Sequence, residues 1–206
     1  MRIDTVAQLM GPQSPRAPQT NNQVGTFTVF VATTPLQALD TWAAMSDGTV
    51  AVVRAASYRI EWYAPNGERT VTDSVPYTPL PVTGNDKKRV LDDYKRVGQA
   101  LLAASPARTS ILAVTYSEPQ SWPATHPPFR GDIVPLVDAD DRIWLATRCA
   151  ADDGSLCYDV IDRTGERVER YRVPPKTRVA GFGKNAVYTA HEQKSDKELL
   201  QRHPLH

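Results

Sequence analysis

The feature that most constrains this chain is an internal repeat. Gly67-Glu68-Arg69 is followed after five residues by Val75-Pro76, and Gly165-Glu166-Arg167 is followed after the same five by Val173-Pro174. Upstream of the first copy stand Asp47-Gly48-Thr49 to Arg54 and Tyr58 to Tyr63; upstream of the second stand Asp141 to Arg148 and Tyr158 to Asp162, with Asp141 set against Asp47. A spacing kept without a gap means one supersecondary unit used twice, so the fold must be one that stacks equivalent units.

Within each copy, β-branched and aromatic runs alternate with turn residues, the pattern of antiparallel hairpins. The first copy reads as strands over 41–45, 49–54, 58–64 and 69–75, with Ser-Asp-Gly and Pro-Asn-Gly turns between them. The second reads as 133–137, 142–148, 157–162 and 168–173. A third begins with 177–182, crosses Gly183-Lys184-Asn185, continues over 186–191 and has a further strand near 199–203. At the other end, residues 2–9 read as a strand halted by Gly11-Pro12, with neither the apolar core nor the cleavage site of a signal peptide. Four-stranded antiparallel units with a tight turn between the first two strands have the form of β-propeller blades. The expected fold class is therefore all-β: a partial β-propeller of four-stranded antiparallel blades with one helical insertion. One domain over 1–206 is expected, with two full blades at about 41–76 and 132–174, incomplete blades at both ends and a helical, Pro-rich insertion over 83–130.

The insertion opens with a helix. Val90, Leu91, Tyr94, Val97, Leu101 and Leu102 recur at helical spacing, and Thr83 to Asp86 has the form of an N-terminal capping box. Lys87, Lys88, Arg89, Lys95 and Arg96 form a charge run that reads first as a solvated face and second as a partner-binding one. The Pro-rich stretch that follows, with Tyr116, Trp122 and Phe129, suits either a loop pinned to the blades or peptide and glycan recognition.

Motifs for chemistry are sparse. There is no Gly-x-Ser-x-Gly, His-Glu-x-x-His or phosphate-binding Gly-x-x-x-x-Gly-Lys, and Gly181-Phe182-Gly183 lacks the third glycine of a dinucleotide fingerprint. Asp138-Ala139-Asp140-Asp141 fails as an EF-hand loop, with Ile143 where Gly is needed and Cys149 where Glu is needed, and reads as a strand-linking turn. His126, His191, His203 and His206 share no ligand spacing beyond the last pair. No catalytic, cofactor-binding or metal-ligating residue is assigned, and no cofactor. Cys149 and Cys157 flank a hairpin mouth and are the candidate disulfide; two free thiols in a reducing compartment is the other reading.

Lys plus Arg total 24 against 23 Asp plus Glu, a net charge of +1, so the basic excess that drives phosphate-backbone binding is missing and nucleic acid is not an expected partner. No apolar run is long enough for a membrane helix.

The runs Asp40-Thr-Trp-Ala-Ala-Met-Ser-Asp-Gly-Thr-Val-Ala-Val-Val-Arg54, Tyr58-Arg-Ile-Glu-Trp-Tyr-Ala-Pro-Asn-Gly-Glu-Arg69, Tyr158-Asp-Val-Ile-Asp-Arg-Thr-Gly165 and Arg178-Val-Ala-Gly-Phe-Gly183, with Trp122-Pro123 and Pro127-Pro128-Phe129 between them, together resemble the carboxy-terminal half of bacterial six-bladed β-propeller proteins of the NHL-like kind. The resemblance implies a rigid binding platform for a protein or small-molecule ligand, a periplasmic or extracellular setting, and a piece of a longer protein whose missing blades belong to it or arrive in trans. The alternative is part of a propeller hydrolase or lyase with its metal ligands on the missing blades. The expected innermost strands here carry Trp42, Pro135 and Arg178 but no His or carboxylate, which disfavours that alternative for this half.

Overall fold

The fold is taken from a computed structural model, which describes residues 5–11, 26–29, 34–104, 113–116, 119–151, 153–193 and 197–204. In chain order, β1 (Thr26–Val29) precedes a first meander of β2 (Thr41–Ala44), β3 (Val50–Arg54), β4 (Arg59–Tyr63) and β5 (Arg69–Val71). Then come α1 (Gly84–Ala104), β6 (Ala113–Tyr116) and a second meander of β7 (Leu136–Val137), β8 (Ile143–Arg148), β9 (Leu156–Ile161) and β10 (Arg167–Val173). A third sheet follows with β11 (Thr177–Gly183), β12 (Ala186–Glu192) and β13 (Glu198–Pro204). Most of the regular structure is thus β, chiefly in three antiparallel sheets of sequential strands, with one helix, and no sheet among the described residues closes into a barrel.

The chain divides into two compact units, one of 1–11, 38–79 and 127–206 and the other of 12–37 and 80–126. The first unit holds the three antiparallel sheets. Its core lies between them in two layers: Ala51, Val53, Ile60 and Trp62 of the first sheet meet Ile143, Leu145 and Ile161 of the second. On the reverse of the second sheet Trp144, Ala146, Tyr158 and Val160 meet Val179 and Val187 of the third. Alternation along β8 and β9 sends successive side chains to opposite faces, and both faces are covered, so these strands read as nearly continuous apolar runs. Trp144 anchors the second layer, stacked on Tyr171 at 4.7 Å and tilted against Phe182 at 4.9 Å between ring centres.

Three expectations from sequence are corrected. Residues 5–9 form no strand: the Gln8 carbonyl accepts from the Arg54 side chain at 2.7 Å, and just beyond them Met10 makes a local pair with Asp40, its amide donating to Asp40 Oδ2 and its carbonyl accepting from the Asp40 amide, both at 3.0 Å. Arg2 to Asp4 lie outside the described residues. The pairing of Asp141 with Asp47 is off by one. Gly48 N donates to Met45 O, and Asp141 N donates to Asp138 O, so Asp141 stands where Gly48 does, each at positive φ (56° and 83°). Asp tolerates this left-handed conformation better than most side chains. Finally, two strands are shorter than read. β5 stops at Val71 because Thr72 Oγ1 takes the Ile60 N–H at 3.0 Å, and Val75 rejoins only through its amide to Tyr58 O at 2.7 Å. β7 begins after Pro135, which has no N–H to give the ladder.

In the second unit β1 and β6 pair in parallel, Thr26 opposite Ala113, rather than extending an antiparallel meander. Helix α1 starts as the spacing predicts. Thr83 Oγ1 accepts from Asp86 N at 3.3 Å and Asp86 Oδ2 accepts from Thr83 N at 2.8 Å, the reciprocal bonds of a capping box. Val90, Leu91 and Tyr94 are half-buried, while Val97 is exposed. In the basic run, Lys95 and Arg96 are paired with Asp92 and Asp93, and the Lys87 ammonium sits 5.7 Å from the Trp122 ring centre.

Candidate functional site: a carboxylate and arginine cluster used twice

Each meander carries one carboxylate on its third strand. Glu61 lies three residues before Ala64, whose amide closes the hairpin onto Glu68 O; Asp159 lies three residues before Asp162, whose amide closes the next hairpin onto Glu166 O. Glu61 is directly opposite Val52, and Asp159 directly opposite Leu145. The two acids therefore hold one position in the repeat. The arginine of Gly-Glu-Arg reaches the acid in both copies: Arg69 Nη2 is 3.0 Å from Glu61 Oε1, and Arg167 Nη1 is 3.4 Å from Asp159 Oδ2. This contact is the physical content of the sequence repeat. Gly67 and Gly165, at φ of 87° and 88°, turn the chain so that the arginine two residues on returns over the third strand.

The two copies differ in what covers them. Asp159 is fully buried: it accepts from Tyr58 Oη of the first sheet at 2.7 Å and from Arg170 Nε at 2.6 Å. Burial, and then the Asp159 charge, push the Tyr58 hydroxyl pKa well up, so it stays a donor at every physiological pH. A buried carboxylate is tolerable only with such a full set of donors.

Glu61 draws its partners from its own sheet and flank. Arg54 Nη2 and Tyr63 Oη each donate to Oε2 at 2.8 Å, and Arg59 lies 3.8 Å from Oε1. Arg54 also bonds Asp40 at 2.8 Å. The Arg54 hydrogen bond leads the effects that hold the Glu61 carboxyl down to about 2, far below its ordinary value, despite burial. One ladder of opposed residues crosses this face, Trp42 to Val52 to Glu61 to Val71, and its ends are open: Trp42 is 52% exposed and Val71 44%. Arg59 and Arg69 are exposed beside them.

A latch joins the first two sheets at their turns. Arg163 pairs with Asp47 at 3.1 Å and Asp141 at 3.0 Å, and its guanidinium lies 5.3 Å from the Trp62 ring centre. Beside it Thr49, Trp62, Ala64, Glu68, Thr70 and Arg163 line an open cavity of about 260 Å³. That is below the range of about 300–1,000 Å³ usual for small-molecule sites.

The remaining residues singled out from sequence fall into structural places. Cys149 and Cys157 are joined as a disulfide, Cα atoms 5.3 Å apart, at the end of the β8–β9 hairpin. Asp138 accepts from the amides of Asp140 and Arg142, from Arg142 Nε and from Trp144 Nε1, which makes it the hub of a turn. His191 bonds Thr177 at 2.9 Å and His203 bonds Thr189 at 2.8 Å; His206 lies outside the described residues. Among the described residues no group of three His, Cys, Asp or Glu stands close enough to hold a metal ion. In the second unit His126 Nε2 is 3.2 Å from Asp86 Oδ2, both side chains buried, a pairing that no sequence spacing announces.

The equivalence of the Glu61 and Asp159 clusters is likewise absent from the motifs read in the sequence. Its signal was present in the recurrence of Arg after Gly-Glu, together with an acid inside an otherwise apolar third strand. Comparisons with protein-family models, curated proteins and solved structures find no match to this chain.

Proposed function

We propose that this chain is a non-enzymatic, protein-binding platform of the β-propeller type, and that the Glu61 face of its first sheet receives a further four-stranded blade supplied by another polypeptide. One observation carries the reading. The repeat provides the same acid and arginine cluster twice; at Asp159 it is closed by a neighbouring sheet that donates a tyrosine hydroxyl, while at Glu61 the surrounding Trp42, Val71, Arg59 and Arg69 remain exposed. Glu61 is itself buried and already has a hydroxyl donor in Tyr63, so what the exposed rim of Trp42 and Val71 would receive is the apolar face of a further sheet.

The chemistry supports binding over catalysis. A carboxyl held at about 2 has no proton to give near neutral pH and is too weak a base to take one efficiently. The resemblance to NHL-like propellers points the same way, since such proteins serve as platforms.

Site-specific photo-crosslinking in the native host tests the proposal. A photoreactive residue replaces Trp42, with exposed Val134 as the control position. The expected adduct forms at position 42 and is a different polypeptide carrying the Gly-Glu-Arg and Val-Pro repeat. It is depleted by Arg69→Glu. No adduct, an adduct with a second copy of this chain, or equal adducts at both positions would overturn the reading.

A further inference from the structure

The first two sheets have four strands each and the third has three, so among the described residues no strand lies beside β13 in the place that β5 and β10 take in the first two. Among the described residues β13 pairs with β12 alone, over Glu198 to Pro204. All seven of its residues are exposed, Leu200 at 64%. A free edge of this length is a template for another strand unless its side chains forbid it.

We infer that β13 pairs with β13 of a second copy of this chain, antiparallel and about a two-fold axis through Leu200. The order of residues argues for this occupant. With Leu200 opposite Leu200 of the second copy, Glu198 falls opposite Arg202 and Arg202 opposite Glu198, while Leu199 and Gln201 exchange places on the other face. Glu198, Leu200 and Arg202 share one face by the period of two, so both charge pairs flank the apolar contact. A parallel pairing in register would set Glu198 against Glu198 and Arg202 against Arg202, which repel. The strand is thus complementary to itself in one orientation only, as an isologous interface requires. Arg178, on the same face, bonds both Glu198 carboxylate oxygens within the chain, at 3.0 and 2.9 Å, and each oxygen keeps a further lone pair with which to accept from an incoming arginine.

One added strand pair buries less than about 1,200 Å², the range of weak and transient contacts, so the dissociation constant should be on the order of 100 µM. Sedimentation equilibrium of the full chain across concentrations bracketing that value should give a reversible monomer–dimer fit. Glu198→Arg alone and Arg202→Glu alone should each weaken self-association about tenfold, because each sets like charges opposite one another twice. Mixing the two single variants should restore association as a heterodimer, and the double swap Glu198→Arg/Arg202→Glu should restore it as a homodimer. Leu200→Lys should abolish it. A wild type that stays monomeric would overturn the inference, as would a dimer indifferent to Leu200→Lys, or single variants whose mixture fails to associate.

Discussion

Two glycines at the same place in the repeat separate two costs. Gly67 and Gly165 both sit in the left-handed region, but a Cβ at Gly67 would meet nothing within 4 Å, whereas one at Gly165 would come within 2.5 Å of Thr72 Cβ and Cγ2. Gly67→Ala therefore pays conformational strain alone, about 1 kcal/mol, and Gly165→Ala adds a contact that must shift the Thr72 backbone, for a total of roughly 3 kcal/mol. Chemical denaturation of the two variants checks the order; equal losses would mean that the turn does not pack on Thr72 as described. Tyr58→Phe is the companion experiment. It leaves the Asp159 carboxylate buried and short of one donor, and should cost about 2 kcal/mol, against near zero for the exposed Tyr77→Phe.

Among the elements, the hairpins were legible in sequence and the partners of their side chains were not. Gly-Glu-Arg with Val-Pro fixed the register of both meanders, because Val75 and Val173 meet Tyr58 and Leu156 at equivalent points. The offset that carries Gly67 to Gly165 also carries Glu61 to Asp159, so their equivalence is legible in the sequence, but the different partners each acid meets are not. The N-terminal alternation misled for the same reason: its period suits a strand, but Asp40 and Arg54 supply competing hydrogen bonds from elsewhere in the chain. For the β8–β9 hairpin, mass spectrometry of periplasmically expressed, unreduced protein should give a chain two hydrogens lighter than the thiol form, with Cys149 and Cys157 in one linked peptide. Replacing both by Ser should lower stability by about 2–3 kcal/mol, the value for closing a short loop.

The whole first unit should respond to acid through Glu61. Its carboxyl is held at about 2 in the folded protein against an ordinary 4.5, so folding stability is fully present above about pH 5 and is lost as pH falls toward 2. Allowing for the exposed arginines that share the charge, the loss is on the order of 2 kcal/mol. Urea titrations at pH 6, 4 and 2.5 should trace it, and Glu61→Gln should flatten the trend over that window. A pH dependence unchanged in that variant would assign the effect to other acids.

Within the first unit the sheets follow one another in space in the order in which the chain makes them, and among the described residues the apolar layers join each only to its immediate neighbours. The middle one is accordingly a keystone: residues that loosen it release two apolar layers at once, while damage to the last sheet costs a single layer. Under mechanical pulling from the carboxyl end, such an arrangement should yield in steps, shedding its outermost leaf before the pair joined by Arg163 gives way.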